Sequence, residues 1–141
     1  MRSSIRFTAA LFTAALLGGC MMLMRPPADS EFGRTRVGTA GVYRATIKPA
    51  GDTIPKGTLQ QWTLHLETVS GAPVDSARIT VDGGMPQHGH GLPTKPQVTT
   101  VLGQGDHLVE GMKFNMGGWW VVKFRIAAAA GADTVVFNLK L

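Results

Sequence analysis

The chain has 141 residues and a mass of 15.0 kDa, the size of one ordinary domain with a short additional segment. Its single cysteine excludes an internal disulfide framework and any CxxC zinc or redox motif, and 44% hydrophobic against 16% charged residues argues against a disordered chain. The formal charge of +5 falls to +3 without Arg2 and Arg6, and the other basic residues are scattered, so nucleic-acid binding has little support.

Residues 1–20 (MRSSIRFTAALFTAALLGGC) have the three-part layout of a secretory signal. Arg2 and Arg6 form the basic part, and an apolar run of 11 residues follows them. Small residues then lead directly to Cys20. This Leu-Gly-Gly-Cys segment resembles the lipobox of bacterial lipoproteins, in which the cysteine is acylated and becomes the new amino terminus after cleavage.

We therefore expect residues 1–19 to be a lipoprotein signal peptide and residues 20–40 to be the lipidated Cys20 and a linker. The resemblance implies a protein of the bacterial cell envelope that faces the periplasm and is anchored to a membrane, with the outer membrane favoured. The alternative is an uncleaved anchor, because Phe7–Met24 is 18 residues without a charge, the lower limit for a membrane-spanning helix. Both interpretations place the domain outside the cytoplasm.

Period-two alternation of apolar and polar residues, interrupted by turn residues, runs through residues 41–141. In the clearest segment Trp62, Leu64 and Leu66 share one face. Seven short strands without a long helix predict an all-β fold, an immunoglobulin-like antiparallel β-sandwich. The predicted strands are 41–48, 59–69, 77–81, 97–102, 107–114, a long strand that opens at Gly117–Gly118, and 134–141.

The segment 82–84 (Asp-Gly-Gly) is expected to end the third strand, and residues 85–96 (MPQHGHGLPTKP) to form a loop held by three prolines. The loop contains Met85, His88 and His90 in the spacing Met-x-x-His-x-His. Thioether sulfur and neutral imidazole are ligands that favour copper, Cu(I) especially. In an extended segment His88 and His90 point to the same side, so both can reach one ion.

Two further methionines, Met112 and Met116, flank the next hairpin in the segment Gly-Met-Lys-Phe-Asn-Met-Gly-Gly. They are candidates to complete a copper site. The structural interpretation stays open beside this one, because methionine is an ordinary core residue and Met112 shares a strand face with Phe114. A His-x-His pair in a Gly/Pro loop can likewise be exposed polarity without a partner.

Enzyme motifs are missing from the sequence. It contains no Gly-x-Ser-x-Gly, no His-Glu-x-x-His and no glycine-rich phosphate loop. A cupin-type metal site also begins with His-x-His, but it expects a glutamate four or five residues later, and residues 91–95 carry none. Only Glu110, in the neighbouring hairpin, could supply that carboxylate. We therefore expect the protein not to be an enzyme.

Residues 83–94 (GGMPQHGHGLPT) and 109–120 (VEGMKFNMGGWW) resemble the YtkA-like/FixH-like family of small exported bacterial proteins, which carry a β-sandwich after an anchor or lipoprotein signal. The resemblance covers about residues 40–141. It implies copper handling in the envelope, often in respiratory oxidase assembly. FixH-type members keep a membrane-spanning helix, whereas Cys20 predicts a lipid tether here.

The leading hypothesis is an envelope copper-binding lipoprotein that holds copper or transfers it to another exported protein, in oxidase assembly or copper tolerance. The alternative is a metal-free interaction module whose rigid loop and exposed Trp119 dock an envelope or membrane complex. In the copper hypothesis, Met85, His88 and His90 are the primary ligands, and Met112 or Met116 completes the site.

Overall fold

The computed structural model describes residues 25–141, and within them nine β-strands and no helix are found. The predicted signal peptide 1–19, the lipidated Cys20 and the alternative anchor Phe7–Met24 lie outside the described residues. Across 25–141 no helix is long and apolar enough to cross a membrane. The strands are β1 (Thr35–Val37), β2 (Tyr43–Pro49), β3 (Gln60–Thr68), β4 (Ala77–Met85), β5 (His90–Gly91), β6 (Gln97–Gly103), β7 (Asp106–Met112), β8 (Trp119–Ala128) and β9 (Gly131–Lys140).

The strands form one antiparallel sheet that folds over into a nearly closed sandwich. One half has the order β1-β2-β3-β7-β6, and the other has β4-β8-β9 with β5 on the free side of β4. A single bridge, Thr80 to Gln97, joins the two halves. On the opposite side β1 and β2 approach β9. The predicted all-β antiparallel sandwich is confirmed.

The interior lies between the two halves of the sheet and contains three packed aromatic rings. The ring of Trp62 stacks on Phe114 with 5.7 Å between centroids, and Phe114 meets Trp120 edge-on at 5.1 Å. Full burial of a large apolar side chain contributes about 1.5–3 kcal/mol, so these rings anchor three separate parts of the chain. The other core residues are Tyr43, Ala45, Ile47, Leu64, Leu66, Ile79, Met85, Val109, Met112, Val122, Phe124, Ile126, Val135, Phe137 and Leu139.

All seven predicted strands occur, but the third one does not end at 82–84. Strand β4 continues through Gly83 and Gly84 to Met85. A Cβ on Gly83 would collide with the carbonyl oxygen of Val121, and one on Gly84 would collide with that of His90. These glycines therefore allow close backbone approach within a sheet, where the sequence pattern suggested a turn.

Two short strands were not predicted. Strand β1 lies in the segment expected to be a linker and pairs with β2. Strand β5 lies inside the predicted loop 85–96 and pairs with the end of β4 through Gly84–Gly91 and Met85–His90. The second pairing fixes the position of His90 relative to the sheet.

One end of the sandwich carries most of the predicted site residues, and we call it the histidine end. Backbone hydrogen bonds hold its parts together: the N–H of Gly57 donates to the carbonyl of Phe114 at 2.7 Å, and Gly118 and Leu141 exchange two bonds of 2.8 and 3.0 Å. The histidine end consists of residues 50–59, 86–96, 113–118 and 140–141.

Candidate metal centre

A tight turn after β4 brings His88 and His90 side by side. The carbonyl of Met85 accepts from the N–H groups of His88 and Gly89, both at 3.0 Å. The two imidazole rings stack with 5.8 Å between centroids and 16° between planes, and both residues are exposed. The expected extended segment is therefore a turn, yet both rings still lie on the same side.

One ring nitrogen of His90 hydrogen-bonds to the backbone. Its Nδ1 lies 3.1 Å from the carbonyl oxygen of Gly91. Because a carbonyl only accepts, Nδ1 is the donor in this contact, and in the neutral tautomer that makes this contact Nε2 is the nitrogen with the free lone pair. Histidines that bind metals commonly donate their other ring N–H to such an oxygen, which orients the ring and raises the basicity of the free nitrogen.

Met85 directly precedes this turn at the end of β4 and is almost completely buried, with 1% exposure. Its methyl carbon would be only 2.8 Å from a Cβ on Gly118, whose φ of 124° is also unfavourable for any other residue. Met85 and His90 both line a shallow hollow of about 340 Å³, with Lys123 on its rim. The close packing of Met85 under Gly118 was not predicted, since the Gly-Gly pair indicated only a strand start.

Met116 and Met112 occupy different environments. Met116 is 42% exposed, and its carbonyl accepts from the indole N–H of Trp120 at 3.1 Å. Met112 is fully buried on β7, which pairs with β3 and β6 and not with β4 or β8. The ring of His90 lies edge-on to Trp120 at 5.9 Å. The structure thus places His88, His90 and Met116 at the histidine end, whereas the side chains of Met85 and Met112 are both buried in the core.

The possible metal ligands at the histidine end are imidazoles and thioethers. Within residues 25–141 no group of three or more His, Cys, Asp or Glu side chains is placed to hold a metal ion. A metal site built on the two imidazoles would need thioether ligands as well, a combination that suits Cu(I) better than Zn²⁺. The carboxylate of Glu110 accepts from Gln61 at 2.7 Å, and hydrogen bonds from Thr99 and Gln61 lower its pKa. Glu110 is engaged there, so it does not complete a cupin-type set.

The two other histidines make contacts of their own. His65 Nδ1 lies 2.7 Å from the carboxylate of Asp106, on the outer face of the sheet. His107 is fully buried, and its Nε2–H donates to the carbonyl of Val74 at 2.7 Å. Trp119, expected to be exposed or near the loops, is half-buried, and its indole N–H donates to Asn138 at 2.9 Å.

Residues 38–125 match a family model described as YtkA-like. The match contains both sequence segments that carry the predicted ligands. No curated protein and no solved structure matches the chain.

Proposed function

This chain belongs to the YtkA-like family, and from that premise we propose that it is an exported protein that binds Cu(I) and holds it or passes it to another exported protein. The observation that carries the proposal is the stacked pair of exposed imidazoles, His88 and His90, at the histidine end. The commitment of Nδ1 of His90 to Gly91 supports it, because this contact leaves Nε2 ready to bind.

Met85 and Met116 are the thioethers that we assign to the proposed site. Met85 lies beside the hollow under His90, and Met116 is exposed next to Trp120. Met112 is not assigned, because it lies on β7 in the other half of the sheet, whereas Met85 ends the strand that directly precedes the turn with the two histidines. In this proposal Met112 serves only to pack the core.

The same geometry supports transfer of copper as cargo. Both imidazoles and Met116 are accessible from outside, so the ligands of an accepting protein can replace them one at a time. A deeply enclosed site would require the domain to open first. The exposed donors therefore favour delivery or exchange over permanent storage.

We propose that the domain faces the periplasm and is held at the membrane through lipidated Cys20. The support is the sequence pattern of residues 1–20, with its basic start, apolar run and lipobox-like end. Mass spectrometry of the protein from a bacterial membrane fraction tests this part. The expected result is a chain that begins at acylated Cys20.

Titration with Cu(I) against a competing chelator tests the copper site. We expect the double variant His88→Ala/His90→Ala to bind at least about 100-fold more weakly than the unaltered chain, which corresponds to about 2.7 kcal/mol. The matched control is His65→Gln, a histidine whose partner is Asp106 and which should leave the affinity unchanged. An unchanged affinity in the double variant would overturn the proposal.

A further inference from the structure

The chain passes the histidine end just before it enters β1. Strand β1 runs antiparallel to β2, with Thr35 opposite Thr46 and Val37 opposite Arg44. Since β2 runs towards the histidine end, the residues before β1 must lie there as well. The guanidinium of Arg34 indeed donates to the carbonyl of Asp52 at 2.5 Å. Before these residues the chain lies against the flank of the sandwich, where Glu31 pairs with the guanidinium of Arg36 and its carbonyl accepts from the amide of Asn138 at 3.3 Å.

Lysines dominate the charge at this end. Within residues 25–141 none of its four lysines makes an ion pair with a carboxylate. Asp52 is the single acidic residue of its four segments. The lysines are Lys56, Lys95, Lys113 and Lys140.

The opposite end has a different charge. Its connections are residues 38–42, 69–76, 104–105 and 129–130, and they carry no basic residue and one acidic residue, Asp75. Among the connecting segments, positive charge is thus concentrated at the histidine end.

Exposed apolar side chains accompany the lysines. Leu59 is 63% exposed, and Met116 is 42% exposed. Phe32, in the chain that leads into β1, is 43% exposed and lies beside Leu141. Apolar side chains among lysines are typical of surfaces that insert into anionic membranes, where the rings and aliphatic groups enter the headgroup region.

We propose that the histidine end docks on the anionic phospholipid headgroups of the membrane that holds the amino-terminal tether. The inference rests on the proposed function for the tether and the copper site, and it adds the surface that the site faces. Twelve residues from Cys20 to Glu31 span at most about 40 Å, so the tether keeps this end within reach of the bilayer. Copper would then be exchanged at the membrane surface, with a protein embedded in it.

The test uses the full chain in phosphatidylcholine vesicles with and without phosphatidylglycerol, without copper. Flotation first verifies that the chain is vesicle-bound. A water-soluble acetylating reagent then modifies the lysines, and mass spectrometry measures each one. We expect the lysines of the histidine end to be modified several-fold more slowly in the anionic vesicles. Each lysine near an anionic membrane surface contributes about a fivefold gain in membrane affinity. High salt should remove the difference, because it screens this attraction. Lys48, which is paired with Asp106 on the outer sheet face, is the internal control.

Charge reversal gives a second test. Lys56→Glu/Lys113→Glu should remove the protection of Lys95 and Lys140, whereas Lys48→Glu should not. Equal modification in neutral and anionic vesicles would overturn the docking and favour an acidic protein as the partner of this end. A chain that does not float would overturn it too, because the tether is its premise. The Cu(I) titration without vesicles is independent, so loss of docking with intact copper affinity distinguishes the two failures.

Discussion

The imidazole of His90 meets the indole of Trp120 edge-on, with 5.9 Å between the ring centroids. Trp120 is fully buried and packs against Phe114, which in turn stacks on Trp62. An exposed residue of the candidate site is therefore supported by the aromatic core. This contact limits the movement of the imidazole, and it couples the site to a spectroscopic probe.

Copper binding should quench the fluorescence of Trp120, because the metal would be bound by His90, whose ring centroid is 5.9 Å from that of the indole. Steady-state emission during a copper titration measures the effect. His90→Ala should abolish most of the quenching, and Trp120→Phe should remove the responsive part of the emission. Quenching that persists in both variants would mean that copper binds elsewhere.

Gly118→Ala should lower stability and weaken copper binding together. Gly118 has a φ of 124°, and an added Cβ would collide with Nε2 of Gln87 and lie 2.8 Å from the methyl carbon of Met85. We expect a loss of about 1–3 kcal/mol in urea denaturation. Gly131→Ala is the matched control, because Gly131 has a φ of 127° and open space around it.

The two variants separate backbone strain from the side-chain contacts with Gln87 and Met85. Both should lose stability through φ, but only Gly118→Ala should displace the thioether and reduce the affinity for Cu(I) by about tenfold. Equal copper affinities in the two variants would contradict the assignment of Met85 as a ligand.

The alternation of apolar and polar residues explains which parts of the fold could be predicted from the sequence. The pattern around Trp62, Leu64 and Leu66 identifies both a strand and its inward face, since the period of two is local. Gly83 and Gly84 were misinterpreted because glycine indicates freedom of the backbone but not its use. Their use here depends on the neighbouring β8 and β5, which pair with β4 from a distance along the chain.

In the candidate site, too, the features that matter most depend on contacts between strands that are distant along the chain. The two-residue spacing of His88 and His90 predicts that their rings lie on one side of an extended segment, but the segment is a turn, and the rings stack through the geometry of that turn. The burial of Met112 and the contact of His90 with Trp120 depend on strand register and on how the two halves of the sheet face each other. Neither can be calculated from the spacing of residues.

Because of Asp133, the free energy of unfolding should depend on pH in the acidic range. Its carboxylate accepts from the backbone N–H groups of Ala40, Val42, Tyr43 and Thr134, at 2.7 to 3.1 Å. Burial alone raises the pKa of Asp133, but these four donors lower it below the ordinary value. A lowered folded-state pKa contributes stability that is present above the unfolded pKa near 3.8 and is lost as pH falls through the folded value.

Urea denaturation at neutral pH and at pH values below 3.8 measures this contribution. Asp133→Asn should cost about 2–4 kcal/mol at neutral pH, because the amide replaces one acceptor oxygen by a donor that faces N–H groups. The variant should also lose less stability on acidification than the unaltered chain. Asp29→Asn, at an exposed position, is the control, and equal acid sensitivity of all three proteins would contradict the prediction.

Exchanging each of two methionines for leucine should distinguish a ligand from a core residue. Met116→Leu keeps an apolar side chain at an exposed position and removes the sulfur, so we expect unchanged stability and an affinity for Cu(I) lowered by about tenfold. Met112→Leu conserves volume in the core, so it should cost less than about 1.5 kcal/mol and leave copper affinity unchanged. Thermal denaturation and the chelator competition measure both quantities on the same samples. The reverse result, with copper affinity lost only in Met112→Leu, would mean that the core thioether reaches the ion and that the exposed one does not.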